Sequence, residues 1–146
     1  MKIRSIAPKG SELPENYLNP PLDITKETEV KLVKLIVGKE YIVYAISELQ
    51  GNLSYYICDA RYTYYPIDNP ALLFEIVDAR YSRYLQVQLA TNRLLEIAFE
   101  HCFSIPYFYD KLTDSEAEAV GIFDKMKKLM DAEAAIPQPQ PFSVDE

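Results

Sequence analysis

Glu40-Tyr41-Ile42-Val43-Tyr44-Ala45-Ile46-Ser47-Glu48, followed by Gln50-Gly51-Asn52 and then Leu53-Ser54-Tyr55-Tyr56-Ile57-Cys58-Asp59, is the stretch that decides the fold. Aromatic and β-branched residues fill both flanks, and such side chains suit a pleated, half-buried surface. The triplet between them is a turn signal, so the segment reads as a β-hairpin. Side chains alternate along a strand, which puts Tyr41, Val43 and Ala45 on one side and Ile42, Tyr44 and Ile46 on the other. Both sides are apolar, so both faces of this strand must be covered.

Toward the C-terminus, residues 60–70 contain Tyr62, Tyr64, Tyr65, Pro66, Asp68, Asn69 and Pro70 and read as a long aromatic loop. The two prolines cannot donate to a central ladder, which places this stretch at a sheet edge or outside it. Leu72 to Asp78 is a third strand, and Arg80 to Arg83 a turn. Leu85, Val87 and Leu89 alternate with Gln86 and Gln88, the mark of a strand with one wet face. Leu95, Ile97 and Phe99 alternate in the same way, with a helix over Leu94–Phe103 as the competing assignment.

The period then changes. A short helix over Pro106–Leu112 fits Pro106 at a first helical position. Ser115 with Glu118 has capping-box spacing, and Val120, Phe123, Met126 or Lys127, and Met130 recur at helical intervals. A helix over Asp114–Ala132 follows. On the N-terminal side, Gly38-Lys39 is a turn, and residues 29–37 fit a helix or a strand. Residues 1–28 read as an irregular arm, broken by Pro8, Gly10, Pro14, Pro20 and Pro21, with Leu13, Tyr17, Leu18 and Leu22 to anchor it. Residues 133–146 form a flexible Pro-rich tail. The expectation is a mainly β protein with C-terminal helices (α+β). Its core would be a small, partly open antiparallel β-barrel of about five strands over residues 29–132.

Charge narrows the function classes. The net charge is −7, and residues 91–146 hold eleven acids against five bases. That balance weighs against nucleic-acid binding, which requires a basic footprint, and no nucleic-acid partner is expected. No run approaches the ~18 apolar residues of a membrane span. The N-terminus lacks the apolar stretch of a signal peptide, so a cytoplasmic protein is expected. In that compartment Cys58 and Cys102 are expected as thiols, although a disulfide between them is open in principle.

Gly38 through Ile46, Tyr55 through Asp59, Tyr65-Pro66-Ile67 and Leu73 through Asp78 together resemble a group of small bacterial proteins. Tyr107 through Leu112, Ile122-Phe123 and Leu129-Met130-Asp131 extend the likeness over about residues 30–132. The group is immunity-protein-like, with a small barrel of the Src-homology-three type. The resemblance implies a protein that neutralises a toxin by binding it. These are packing patterns rather than catalytic signatures, and where tryptophan is expected this chain has other residues.

The residues themselves carry no strong catalytic constellation. His101 and Cys102 are neighbours, but adjacent side chains diverge on a strand and sit about a third of a turn apart on a helix. Asp59, Asp68 and Asp78 fit strand ends and turn caps better than a shared acid–base site. No metal-ligand spacing and no Gly-rich phosphate loop is present, so no metal, no cofactor and no enzymatic activity are expected. Tyrosine is the informative residue: nine of twelve fall between Tyr41 and Tyr84, and the chain has no tryptophan. Tyr41, Tyr44, Tyr55 and Tyr56 lie inside strands and are expected to pack. Tyr62, Tyr64 and Tyr65, with Asp68, lie in the loop as candidate binding residues, with packing over an open edge as the other use. Pro137 to Pro141 favours an extended conformation that aromatic grooves recognise. The expected function is a non-catalytic protein-interaction module with an unidentified protein partner. A small-molecule-binding domain with a Tyr-lined pocket is the alternative.

Overall fold

The structure, a computed structural model, describes residues 1–6, 35–59, 64–89 and 95–137. The arm residues Leu13, Tyr17, Leu18 and Leu22, the loop residue Tyr62 and the tail beyond Pro137 lie outside that set.

The protein is mainly β with C-terminal helices. Among the described residues eight strands, β1 (Lys2–Ser5), β2 (Glu40–Ile42), β3 (Ala45–Leu49), β4 (Asn52–Ile57), β5 (Ile67–Pro70), β6 (Phe74–Asp78), β7 (Leu85–Leu89) and β8 (Leu95–Phe99), precede three helices. The helices are α1 (His101–Ser104), α2 (Phe108–Thr113) and α3 (Ala117–Ala134). The strands form two antiparallel sheets, β2-β1-β6 and β5-β4-β3-β8-β7, and these do not close into a barrel.

The cause lies in the opening segment. The stretch from Glu40 to Glu48 reads as one strand but is two, parted at Val43-Tyr44, and the chain passes there from the smaller sheet to the larger. Its two apolar sides therefore serve two cores. Tyr41 and Val43 are buried with Ile3, Tyr55, Ile57, Leu73 and Phe74, where the rings of Tyr41 and Tyr55 meet Phe74 edge-on. Tyr44 is buried instead with Phe99, Phe108, Leu112, Phe123, Met126 and Met130, beneath the helices.

The hairpin holds. Leu49 pairs with Asn52, leaving Gln50 (φ 53°) and Gly51 (φ 82°) as a two-residue loop. Two positive φ values are what a type I′ turn requires, and its twist matches that of the flanking strands. The Glu48 carboxylate accepts the Gly51 N–H at 2.7 Å.

Four sequence expectations need correction. Lys2–Ser5, assigned to an irregular arm, is the central strand of the smaller sheet. Arg4 stands opposite both Glu40 and Glu75, and its guanidinium lies 2.9 Å from Glu75 and 3.5 Å from Glu40. Ile67–Pro70, assigned to a loop on a sheet edge or outside the sheet, is an edge strand: the edge placement holds and the loop assignment does not. The capping box at Ser115 is not made: Ser115 has φ 60°, and Glu116 caps α3 without a side-chain bond. The expected helix at Pro106 begins at Phe108, behind a left-handed Tyr107. Residues 95–99 are strand, as their alternation indicates.

Helix α3 packs by the residues at its apolar spacing, with Ala119, Phe123, Met126, Met130 and Ala134 buried. Polar contacts fix its far end. The Arg80 guanidinium donates to Asp78 at 2.7 Å and to the carbonyls of Ile136 and Pro137 just beyond the helix. A cation is favoured at that negative end of the helix.

Candidate binding cleft

Pro66, ahead of β5, and the residues of β3, β4 and β8 form one wall of a cleft whose other wall comes from α1, α2, α3 and the turn before α2. It encloses about 330 Å³, and Tyr44, Ala45, Ser47, Tyr56, Glu96, Ala98, Phe99, Cys102, Tyr107, Tyr109 and Asp110 are among its lining. Cross-strand register builds the floor. Ala45 pairs with Tyr56, and Tyr56 with Asp68, so a small side chain beside a large one leaves the hollow. Ala98, also small, extends it along β8.

Three segments distant in sequence bring the tyrosines together. Tyr56 meets Tyr109 at 5.7 Å between ring centroids and 84° between planes, and Tyr65 meets Tyr109 at 6.4 Å and 81°. Tyr64 continues the series against Tyr65 at 4.6 Å. The Tyr109 hydroxyl donates to the Pro66 carbonyl at 2.8 Å, which ties α2 to the segment before β5. Tyr107 stands at the rim, 79% exposed, in the left-handed region with φ 55° and ψ 36°. A bulky residue there carries about 1–2 kcal/mol of strain, and such residues cluster at functional sites.

The candidates from sequence are only partly assembled. Tyr65 is half-buried in the tyrosine series, and Asp68 lies beside it opposite Tyr56. Tyr64 is exposed and lines a second hollow, of about 630 Å³, with Lys39, Asp59, Asp124, Lys127 and Lys128. Residues 60–63, which link Asp59 to Tyr64, lie outside the described set, so described side chains do not fix its outline. Tyr62 is outside that set too. Sequence reasoning missed Tyr56, assigned to packing, and Tyr107 and Tyr109, which fall outside the dense tyrosine stretch. One signal was present: in Tyr107-Phe108-Tyr109, the buried Phe108 is flanked by two exposed rings.

Burial pushes the Cys58 and Cys102 thiols up to about 12, and a protonated thiol is a poor nucleophile. The His101 ring packs against Phe99 at 5.9 Å. Asp78 belongs to the smaller sheet and Asp68 to the larger, so the aspartates do not share one strand end. Among the described residues no three His, Cys, Asp or Glu side chains converge as metal ligands would. None of the described helices is long and apolar enough to cross a membrane. Comparison with protein-family models, curated proteins and solved structures finds no match.

Proposed function

We propose that the chain is a non-catalytic binding protein whose cleft between the five-stranded sheet and the C-terminal helices seats a small ligand or a single projecting group. One observation carries this reading: the open hollow of about 330 Å³ walled by Tyr56, Tyr107 and Tyr109. Ligand pockets run from ~300 to ~1,000 Å³ and combine aromatic walls with a few polar groups. The absence of tryptophan makes tyrosine the source of the intrinsic emission, which supplies the readout. A panel of small alcohols, phenols and amines is titrated against that emission, with Ser47→Phe as the variant that fills the cleft. At least one member is expected to bind saturably to the native chain and to lose binding in the variant. No binding by any member, or binding that Ser47→Phe leaves intact, overturns the proposal.

A second reading, a protein-interaction module, is favoured by a different feature. Strand β7 is an edge strand, and Val87 and Leu89 on it are 57% and 72% exposed. Among the described residues no strand pairs with that side of β7, and an apolar sheet edge is suited to accepting a strand from another chain. An immunity-type protein that neutralises a toxin would be one form of this. A partner recovered by the native chain and lost with Val87→Lys supports the reading. No partner at all, together with a monodisperse monomer, counts against it.

A further inference from the structure

We propose that the group seated in the cleft is an organic cation, an ammonium or guanidinium group enclosed by tyrosine rings and drawn in by carboxylates. The inference rests on the binding reading of that cleft and names its ligand class.

Charge supplies the first argument. Glu96 and Asp110 line the cleft, and none of its described lining residues is Lys, Arg or His. Among the described lining residues an anion would meet two carboxylates and no cation. A neutral guest would seat itself beside the Glu96 carboxylate with nothing to offer it, and a carboxylate stripped of water without a partner is costly. A cation meets both needs. Burial chiefly holds the Cys102 thiol in its protonated form, and the nearby Glu96 carboxylate adds to it. Burial is the main cause that raises the Tyr109 hydroxyl, and Tyr56 and Asp68 add to it.

Ring geometry supplies the second. Tyr56 and Tyr109 meet edge-on at 84° to each other, and both line the cleft. The Tyr109 hydroxyl is committed to the Pro66 carbonyl, which leaves its ring as the surface it contributes. Tyr107, held in its left-handed conformation at the rim, can close over a third side. A cation within about 6 Å of such rings is attracted by their electron-rich faces, and aromatic cages for quaternary ammonium groups work in this way. The volume of about 330 Å³ sits at the small end for ligand pockets. It suits a single headgroup or side-chain terminus rather than a cofactor.

Two sources carry this chemistry: a free amine, or a lysine or arginine side chain presented by another protein. Calorimetric titration of the full chain separates them. Choline is compared with 3,3-dimethylbutanol, its neutral twin, and a short trimethyl-lysine peptide with its norleucine counterpart. Each cation is expected to bind at least about tenfold tighter than its neutral twin. Glu96→Gln should weaken the cation about fivefold while leaving the neutral twin unchanged. Tyr107→Ala, an exposed site whose loss does not threaten the fold, should weaken it about two- to fivefold. Binding of choline assigns a free amine, and binding of the peptide alone assigns a side chain. Equal binding of cation and neutral twin overturns the cation proposal and leaves the binding reading standing. Failure of both cations to bind overturns it as well, with the panel above deciding separately whether the cleft binds anything.

Discussion

Tyr44 shows how much one side chain does that its sequence context hides. Its ring lies edge-on to Phe123 at 5.6 Å, and its hydroxyl donates to Asp131 at 2.6 Å. Asp131 also takes Lys127 at 2.7 Å, one helical turn away. The strand pattern indicates a buried ring at position 44, but a partner 87 residues later is legible only from the fold. Tyr44→Phe keeps the ring and removes the bond to a charged acceptor, so it should cost about 1.5 kcal/mol, measured by urea unfolding. The thiols make a pH prediction. Burial, the largest cause, raises Cys58 and Cys102 from 9.0 to about 12, and it raises Tyr44 as well. Below 9.0 both folded and unfolded chains keep the thiol protons, and that stability is fully present. Above 9.0 the unfolded chain releases its protons first, so stability falls as pH rises toward 12. The urea midpoint should therefore be insensitive to these groups near neutral pH and decline on the alkaline side. A midpoint that rises there contradicts the assignment.

At the level of elements, local pattern was legible in several places and misleading at the Ser115 capping box and the Pro106 helix start. The hairpin, the turn at Gly38, the strand at 95–99 and the stripe of α3 all follow from period and turn chemistry. Strand β1 was hidden because its four residues are followed closely by Pro8 and Gly10, and its partners lie more than thirty residues away. The alternation of β7 identified a strand correctly but assigned Val87 and Leu89 a dry face that the second sheet does not cover. Two glycines test the backbone argument. Gly51 needs its φ of 82°, although a Cβ there would meet nothing within 4 Å. Gly51→Ala should thus cost about 1 kcal/mol through strain alone. Gly121, inside α3, likewise has nothing within 4 Å of a Cβ and no unusual φ. Gly121→Ala should raise stability by about 0.5–1 kcal/mol through helix propensity. Opposite signs in thermal unfolding at these two open positions are the expected outcome.

For the whole molecule, the chain passes between the two cores at Val43-Tyr44 and again between Phe74 and Leu85, so the cores share strands and neither stands alone. Leu73 belongs to one core and Leu112 to the other, and both are fully buried. Leu73→Ala and Leu112→Ala should each cost about 2–5 kcal/mol and shift one shared transition. The same arrangement explains why the cleft was only half legible. Tyrosine density drew attention to Tyr65 and Asp68, which adjoin Tyr109 and Tyr56 but do not line the cleft. The site itself needs Tyr56 from a strand and Tyr107 and Tyr109 from the helical region, and only the packing of helices over the larger sheet unites them. The tyrosines thereby fall into two classes: Tyr41 and Tyr55 fill the core away from the helices, and Tyr56, Tyr107 and Tyr109 wall the cleft. Ring resonances in a tyrosine-labelled sample, followed by NMR as choline is added, test this division most directly. Saturable shifts of Tyr56, Tyr107 and Tyr109 with Tyr41 and Tyr55 unmoved are predicted. Shifts spread equally over both classes, or none in the cleft, would contradict it.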